Sequence, residues 1–121
     1  MTSQSPTSEA GLDIILHQPI RTGIVAYLVG RGEATFTELK QALQVSDGNL
    51  ESHLKKLIAA EYVTTRKDSS NVRRQTVYSL TQSGEAALRR YIASLQRMLG
   101  FDAKARARSQ SAAKGKLAWN P

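Results

Sequence analysis

Residues 46–58 read SDGNLESHLKKLI, and this stretch decides the fold of the chain. Its apolar residues recur at i, i+4, i+7 and i+8, the spacing of one buried helical face. Ser46 is a favourable N-cap, and Asp47 places an acid in the first turn, where it suits the helix dipole. The pattern predicts a helix that runs to about Ala60. Its predicted buried residues are Leu50, Leu54, Leu57 and Ile58.

The opposite face of this predicted helix is small, polar and basic. Small residues let a helix backbone approach base edges, an asparagine can bond an adenine edge with both its groups, and lysines can reach phosphates. We interpret this face as a DNA-reading surface, the alternative being an ordinary solvated face. Glu51 lies at its flank, where we expect a solvated or internally paired carboxylate, although it can also accept from a cytosine amino group. The residues predicted to contact DNA here are Ser46, Gly48, Asn49, Ser52, His53, Lys55 and Lys56.

Two further helices are predicted upstream of this stretch. Pro19 suits the first position of a helix, and Gly30 and Gly32 are predicted to end it. Residues 34–36 form a short β-compatible segment, and Thr37 is predicted as the N-cap of the second helix. A tight turn then leads into the helix described above, which is the order of a helix-turn-helix.

Downstream, the apolar period changes from that of a helix to that of a strand. Residues 62–66 (YVTTR) and 76–80 (TVYSL) are rich in β-branched and aromatic side chains, and residues 68–71 between them are typical of a turn. This predicts a β-hairpin. Thr81 is predicted to cap a long last helix that runs to about Leu99. The fold class predicted is therefore α+β, mainly α: a winged helix-turn-helix with a long C-terminal dimerisation helix.

Four cations surround the tip of the predicted hairpin, or wing. On a short loop they repel one another, a cost that makes sense if phosphates neutralise them on binding. The alternative is a charged edge that discourages aggregation of the sheet. We expect contacts with the DNA backbone and the minor groove. These cations are Arg66, Lys67, Arg73 and Arg74.

The last predicted helix has more apolar residues than one buried stripe requires. Its leucines and isoleucine follow the i, i+4, i+7, i+11 spacing of a coiled-coil seam, and a second apolar edge lies beside them. One edge can pack on the domain, and the simplest partner for the other is the same helix of a second copy. The alternative is one wide buried face in a monomer. The residues predicted at this homodimer interface are Leu12, Ile15, Leu88, Tyr91, Ile92, Leu95, Met98 and Leu99.

With 121 residues, the chain fits one domain with modest tails. We expect a disordered lead at residues 1–10, the winged helix domain at residues 11–100 and a basic, flexible tail at residues 101–121. The net charge of +7 favours an anionic partner. More than half of this excess lies in the predicted tail, so the domain is only mildly basic and the placement of its charges matters more than their sum.

Several functional classes are disfavoured by composition. The chain has no cysteine and two histidines, so we expect no disulfide, metal site or cofactor. No nucleophile–base pair and no phosphate-binding glycine loop is present, so we expect no enzyme. The polar first residues and the lack of an apolar run of ~20 residues predict a cytoplasmic protein without a membrane segment.

The motifs together resemble those of bacterial regulators of the MarR and ArsR types. The run SDGNLESHLKKL followed by EYV at residues 61–63 resembles their recognition helix and first wing strand. The segment YSLTQSG at residues 78–84 resembles their strand-to-helix junction, and HQPIR at residues 17–21 is similar to the lead of compact MarR-like proteins. The Asp-x-Arg wing signature of MarR proteins and the metal ligands of many ArsR sensors are not reproduced. The resemblance implies a homodimer with the third helix in the major groove.

These observations favour a sequence-specific regulator of transcription that binds double-stranded DNA. We expect a homodimer on an inverted-repeat site, acting as a repressor, with any small-molecule effector unknown. The alternative is a winged-helix module for protein–protein contact within a larger assembly, its basic surface facing an acidic partner.

Overall fold

The computed structural model describes residues 11–70 and 74–100. Three strands form one antiparallel sheet in the order β1-β3-β2, and the helices surround a single core. This arrangement confirms the predicted winged helix-turn-helix class. The elements are α1 (Pro19–Arg31), β1 (Glu33–Thr35), α2 (Phe36–Leu43), α3 (Asp47–Ala59), β2 (Val63–Asp68), β3 (Gln75–Leu80) and α4 (Gln82–Met98).

Three sequence-based predictions fall outside the described residues. They concern the lead at residues 1–10, the basic tail at residues 101–121 and the wing residue Arg73. Within the described part of the chain, no helix has the length and apolar character needed to cross a membrane.

Side chains cap the helices at their N-termini. Ser46 accepts a hydrogen bond from the Asn49 amide at 3.2 Å, which confirms the predicted start of α3. The prediction of Thr37 as the cap of α2 is wrong, since the helix begins two residues earlier. Thr35 accepts from the Glu38 amide at 3.1 Å, and the Glu38 carboxylate accepts from the Thr35 amide at 2.9 Å. This reciprocal capping box satisfies two backbone donors at once and outweighs a lone threonine at position 37.

The leucines of α3 fill the centre of the core. Leu50, Leu54 and Leu57 are almost completely buried, as the helical spacing predicts. Ile58, the fourth predicted member, is 38% exposed because it lies in the last turn of α3 at the edge of the buried face. Burial of a leucine side chain contributes about 1.5–3 kcal/mol, so these three residues fix how α3 sits on the domain.

Burial divides the residues predicted at a dimer interface into two groups. Leu12, Leu88 and Tyr91 lie within the chain's own core, where at most 8% of each is exposed. They therefore do not belong to an exposed seam, because the N-terminal segment and α1 cover this side of α4. The other predicted interface residues remain at least partly exposed: Ile15, Ile92, Leu95, Met98 and Leu99.

The hairpin joins α4 at Tyr62. The Tyr62 carbonyl accepts a hydrogen bond from the Thr81 amide at 3.0 Å, and its hydroxyl donates to the buried Asp13 carboxylate at 2.6 Å. Gly84, in the first turn of α4, lies directly against the Tyr62 carbonyl, so a Cβ at this position would overlap the carbonyl oxygen. The start of α4 thus lies so close to the Tyr62 backbone that any larger residue at position 84 would force atoms to shift.

Gly84→Ala is expected to lower the free energy of unfolding by about 1–3 kcal/mol, because backbone atoms must shift to admit the methyl group. Urea denaturation measures the change. Gly30→Ala is the matched control: a Cβ there meets no atom within 4 Å, so the substitution is expected to raise stability by up to about 1 kcal/mol. Equal denaturation midpoints for Gly84→Ala and wild type would contradict the close approach of α4 to Tyr62.

Candidate nucleic-acid interface

The exposed face of α3 forms a shallow, open groove. Of the residues predicted to contact DNA, Ser46 and Asn49 are exposed at the start of the helix, and four more line the groove. Glu51, expected at the flank, lies inside the groove with them. The groove is lined by Gly48, Glu51, Ser52, Lys55, Lys56 and Ala59.

A second hollow lies between α3, the start of α2 and the wing. Glu51 lines this hollow as well as the first, so this residue lies between the two. Burial and the charge of Glu51 raise the pKa of Tyr78 above its usual 10.0. Sequence reasoning missed this hollow because it forms only when β3 packs beside the helices. Its other residues are Thr35, Phe36, Thr37, Gln75, Thr76 and Tyr78.

His53, which the sequence predicts as a DNA contact, connects α3 to α1. Its Nδ1 atom lies 3.0 Å from Nη1 of Arg21, a buried side chain whose Nε donates to the Ile15 carbonyl at 2.6 Å. Because a guanidinium has only donors, Nδ1 of His53 is the acceptor. Burial, and the charges of Arg21 and Lys56, lower the pKa of His53 below its usual 6.5. A neutral His53 therefore holds α3 against the body of the domain.

Three cations near this surface are paired with carboxylates of the same chain. Lys40 at the end of α2 lies 2.9 Å from Asp47, and Lys55 lies 4.0 Å from Glu51 one helical turn away. Arg66 in the wing bonds both carboxylate oxygens of Glu33, each at 2.9 Å. The sequence predicted Arg66 as a DNA contact but gave no sign of its pairing, since Glu33 is far away along the chain.

The remaining described cations of the wing are differently placed. Lys67 donates to the Thr76 hydroxyl across the hairpin at 3.3 Å, and Arg74 is exposed. Asp68 accepts hydrogen bonds from the amide and hydroxyl of Ser70, which lower the pKa of the Asp68 carboxyl and close the turn after β2. The wing thus keeps cationic side chains near its tip.

A second exposed surface lies on α4 and is apolar. Ile92, Met98 and Leu99 are between 45% and 64% exposed, while Leu95 is partly buried and packs against the core. Among residues 11–70 and 74–100, no group of three side chains is arranged to hold a metal ion.

Comparison with known proteins gives consistent matches. A family model described as a winged helix DNA-binding domain matches residues 20–99. An uncharacterised protein of Methanocaldococcus jannaschii is 38% identical over 78 residues, which are 64% of this chain and 85% of that protein. The structure of a transcriptional regulator homologue from Pyrococcus horikoshii shares 32% identity with a TM-score of 0.67, over 71% of this chain and 85% of that one. The transcriptional repressor BigR from Xylella fastidiosa shares 28% identity with a TM-score of 0.55, over 69% and 78% of the respective chains.

His53 is expected to titrate below pH 6.5 in an NMR titration of the folded protein. Since its pKa is lower in the folded than in the unfolded chain, the unfolded chain binds more protons between the two values. The free energy of unfolding should therefore fall as the pH drops through 6.5 toward the folded-state pKa. His53→Gln keeps an acceptor for Arg21 and should remove this part of the pH dependence. A folded-state pKa at or above 6.5 would contradict the neutral His53.

Proposed function

The chain belongs to the winged helix DNA-binding domain family, and on that premise we propose that it represses transcription as a homodimer bound to an inverted-repeat site in double-stranded DNA. The observation that carries this proposal is the exposed, small and polar face of α3 on a helix whose opposite face is locked into the core. The Xylella fastidiosa relative, named as a transcriptional repressor, supports the direction of regulation.

Gly48 supports insertion of α3 into the major groove. A Cβ at this position would meet no atom within 4 Å, so packing inside the chain does not require glycine there. Glycine in a helix costs roughly 0.5–1 kcal/mol relative to alanine. A DNA base edge that approaches the helix backbone supplies a reason to keep it, because even a methyl group would hold the backbone away.

The neighbours of Gly48 fit the roles that a reading helix needs. The backbone N–H of Asn49 donates to the Ser46 hydroxyl. The side chain of Asn49 is exposed and can bond an adenine edge. Ser52 is small enough to lie close to a base. Lys55 and Lys56 line the same groove, where their ammonium groups can bind phosphates. In the wing, Lys67 and Arg74, with Arg73 from the sequence, are assigned to the DNA backbone.

The apolar surface of α4 supports the homodimer. Ile92 and Leu99 are seven residues apart, so they lie on one stripe of the helix, and Leu95 borders it. A two-fold pairing of this stripe would bury the exposed side chains of both copies. Two recognition helices would then lie about one DNA turn, or roughly 34 Å, apart, which matches an inverted repeat.

Selection of bound duplexes from a random pool is expected to recover an inverted repeat that the protein binds with strong salt dependence. Asn49→Ala should relax the preference at one base pair in each half-site, with a loss of about 1–3 kcal/mol of discrimination. Gln82→Ala, a polar truncation at an exposed position of α4, is the control and should leave the selected sequence unchanged. Recovery of no duplex, together with stable co-purification of an acidic protein, would overturn the proposal in favour of an interaction module.

Ile92→Glu is expected to yield folded monomers that bind the operator weakly, because it places a charge in the apolar stripe. Light scattering and circular dichroism measure mass and helix content. Val29→Glu is the matched control, since Val29 is equally exposed (44% against 45%) but lies on α1. A dimeric Ile92→Glu variant, or a wild type that is monomeric at micromolar concentration, would place the partner surface elsewhere or remove it.

A further inference from the structure

Three carboxylates form ion pairs with cations on or beside the surface assigned to DNA. Asp47 holds Lys40, Glu51 holds Lys55 and Glu33 holds Arg66, and every side chain of these pairs is at least 45% exposed. Pairs as exposed as these contribute little to stability, because water solvates both partners and the side chains lose freedom when they pair. The three pairings themselves therefore add little to the stability of the fold.

The ion pair of Arg66 and Glu33 joins the two edge strands of the sheet. Glu33 lies opposite Ser79 and Arg66 opposite Val77, so the pair bridges over β3 from one edge strand of the sheet to the other. Both bonds of 2.9 Å come from one guanidinium nitrogen, Nη2, which donates to the two carboxylate oxygens of Glu33. Charge-assisted bonds of this kind also hold phosphates, so a phosphate must displace Glu33 to bond Nη2.

Resting on the DNA-binding function proposed above, we propose that Glu33, Asp47 and Glu51 compete with DNA phosphates for these cations and hold down the affinity for duplex DNA of any sequence. Exchange of a carboxylate for a phosphate yields little net attraction, and the displaced carboxylate then faces the DNA charge. The carboxylates therefore weaken the phosphate-dependent part of binding on every duplex, and the base contacts of α3 add to binding only on the operator.

The test compares Glu33→Gln, Asp47→Asn and Glu51→Gln with wild type on a random-sequence duplex and on the selected operator. Fluorescence anisotropy at about 50 to about 200 mM salt gives affinity and salt slope. Each variant is expected to bind the random duplex more tightly. One freed phosphate contact steepens the log–log slope by about 0.9, which is about a threefold larger loss of affinity across this range. The affinity for the operator should rise by a similar factor, because the same phosphate contacts are freed on both duplexes.

Glu85→Gln is the matched control. It removes one negative charge, as the three variants do, and breaks a comparable exposed ion pair with Arg89 at 2.8 Å. This pair lies on α4, which begins at the base of the hairpin and not at its tip. Its salt slope should equal that of wild type. The inference is overturned if the three variants keep the wild-type slope, if their affinity for the random duplex falls, or if Glu85→Gln changes the slope equally. A wild type that binds no duplex at any salt would refute the proposed function itself, whereas a wild type that binds DNA while the three variants behave like it refutes this inference alone.

Discussion

The position of the wing depends on the contacts of Tyr62. Its carbonyl receives the Thr81 amide and lies against Gly84, while its hydroxyl reaches the carboxylate of Asp13, which is only 5% exposed. One residue therefore ties the N-terminal segment, the hairpin and α4 to a common point. Because β2 begins at the next residue, Val63, the direction in which the hairpin leaves the domain is set there. The angle between the wing and α3 follows from this junction.

Most of the element pattern could be predicted from sequence because it is recorded in local spacing. The spacing of the leucines predicts the helix α3, and the β-rich segments of the hairpin predict its strands. Where two local signals compete, the choice needs a third residue. Thr35 and Thr37 are equally good caps by residue type, and only Glu38, three residues after Thr35, distinguishes them. That signal was present in the sequence.

The candidate site could be predicted only as far as one helix determines it. The polar face of α3 follows from the rotation between successive residues, whatever the rest of the chain does. The partners of Arg66 and His53 lie more than thirty positions away along the chain, so no local pattern indicates them. On α4 the sequence showed a surplus of apolar residues. Which of them the domain covers, Leu88 and Tyr91 rather than Ile92 and Leu99, is decided by tertiary packing.

The placement of β1 fixes the hairpin at its base and leaves its tip without support from β1. β1 pairs with β3 only at residues 77–79, beside the domain, so the base of the hairpin is clamped and its outer part is held by β2 alone. Thr35 is both the last residue of β1 and the cap of α2, so a tilt of the clamped base would pull on the helix-turn-helix itself. Bending of the hairpin on the tip side of Thr76 would therefore leave α3 in place.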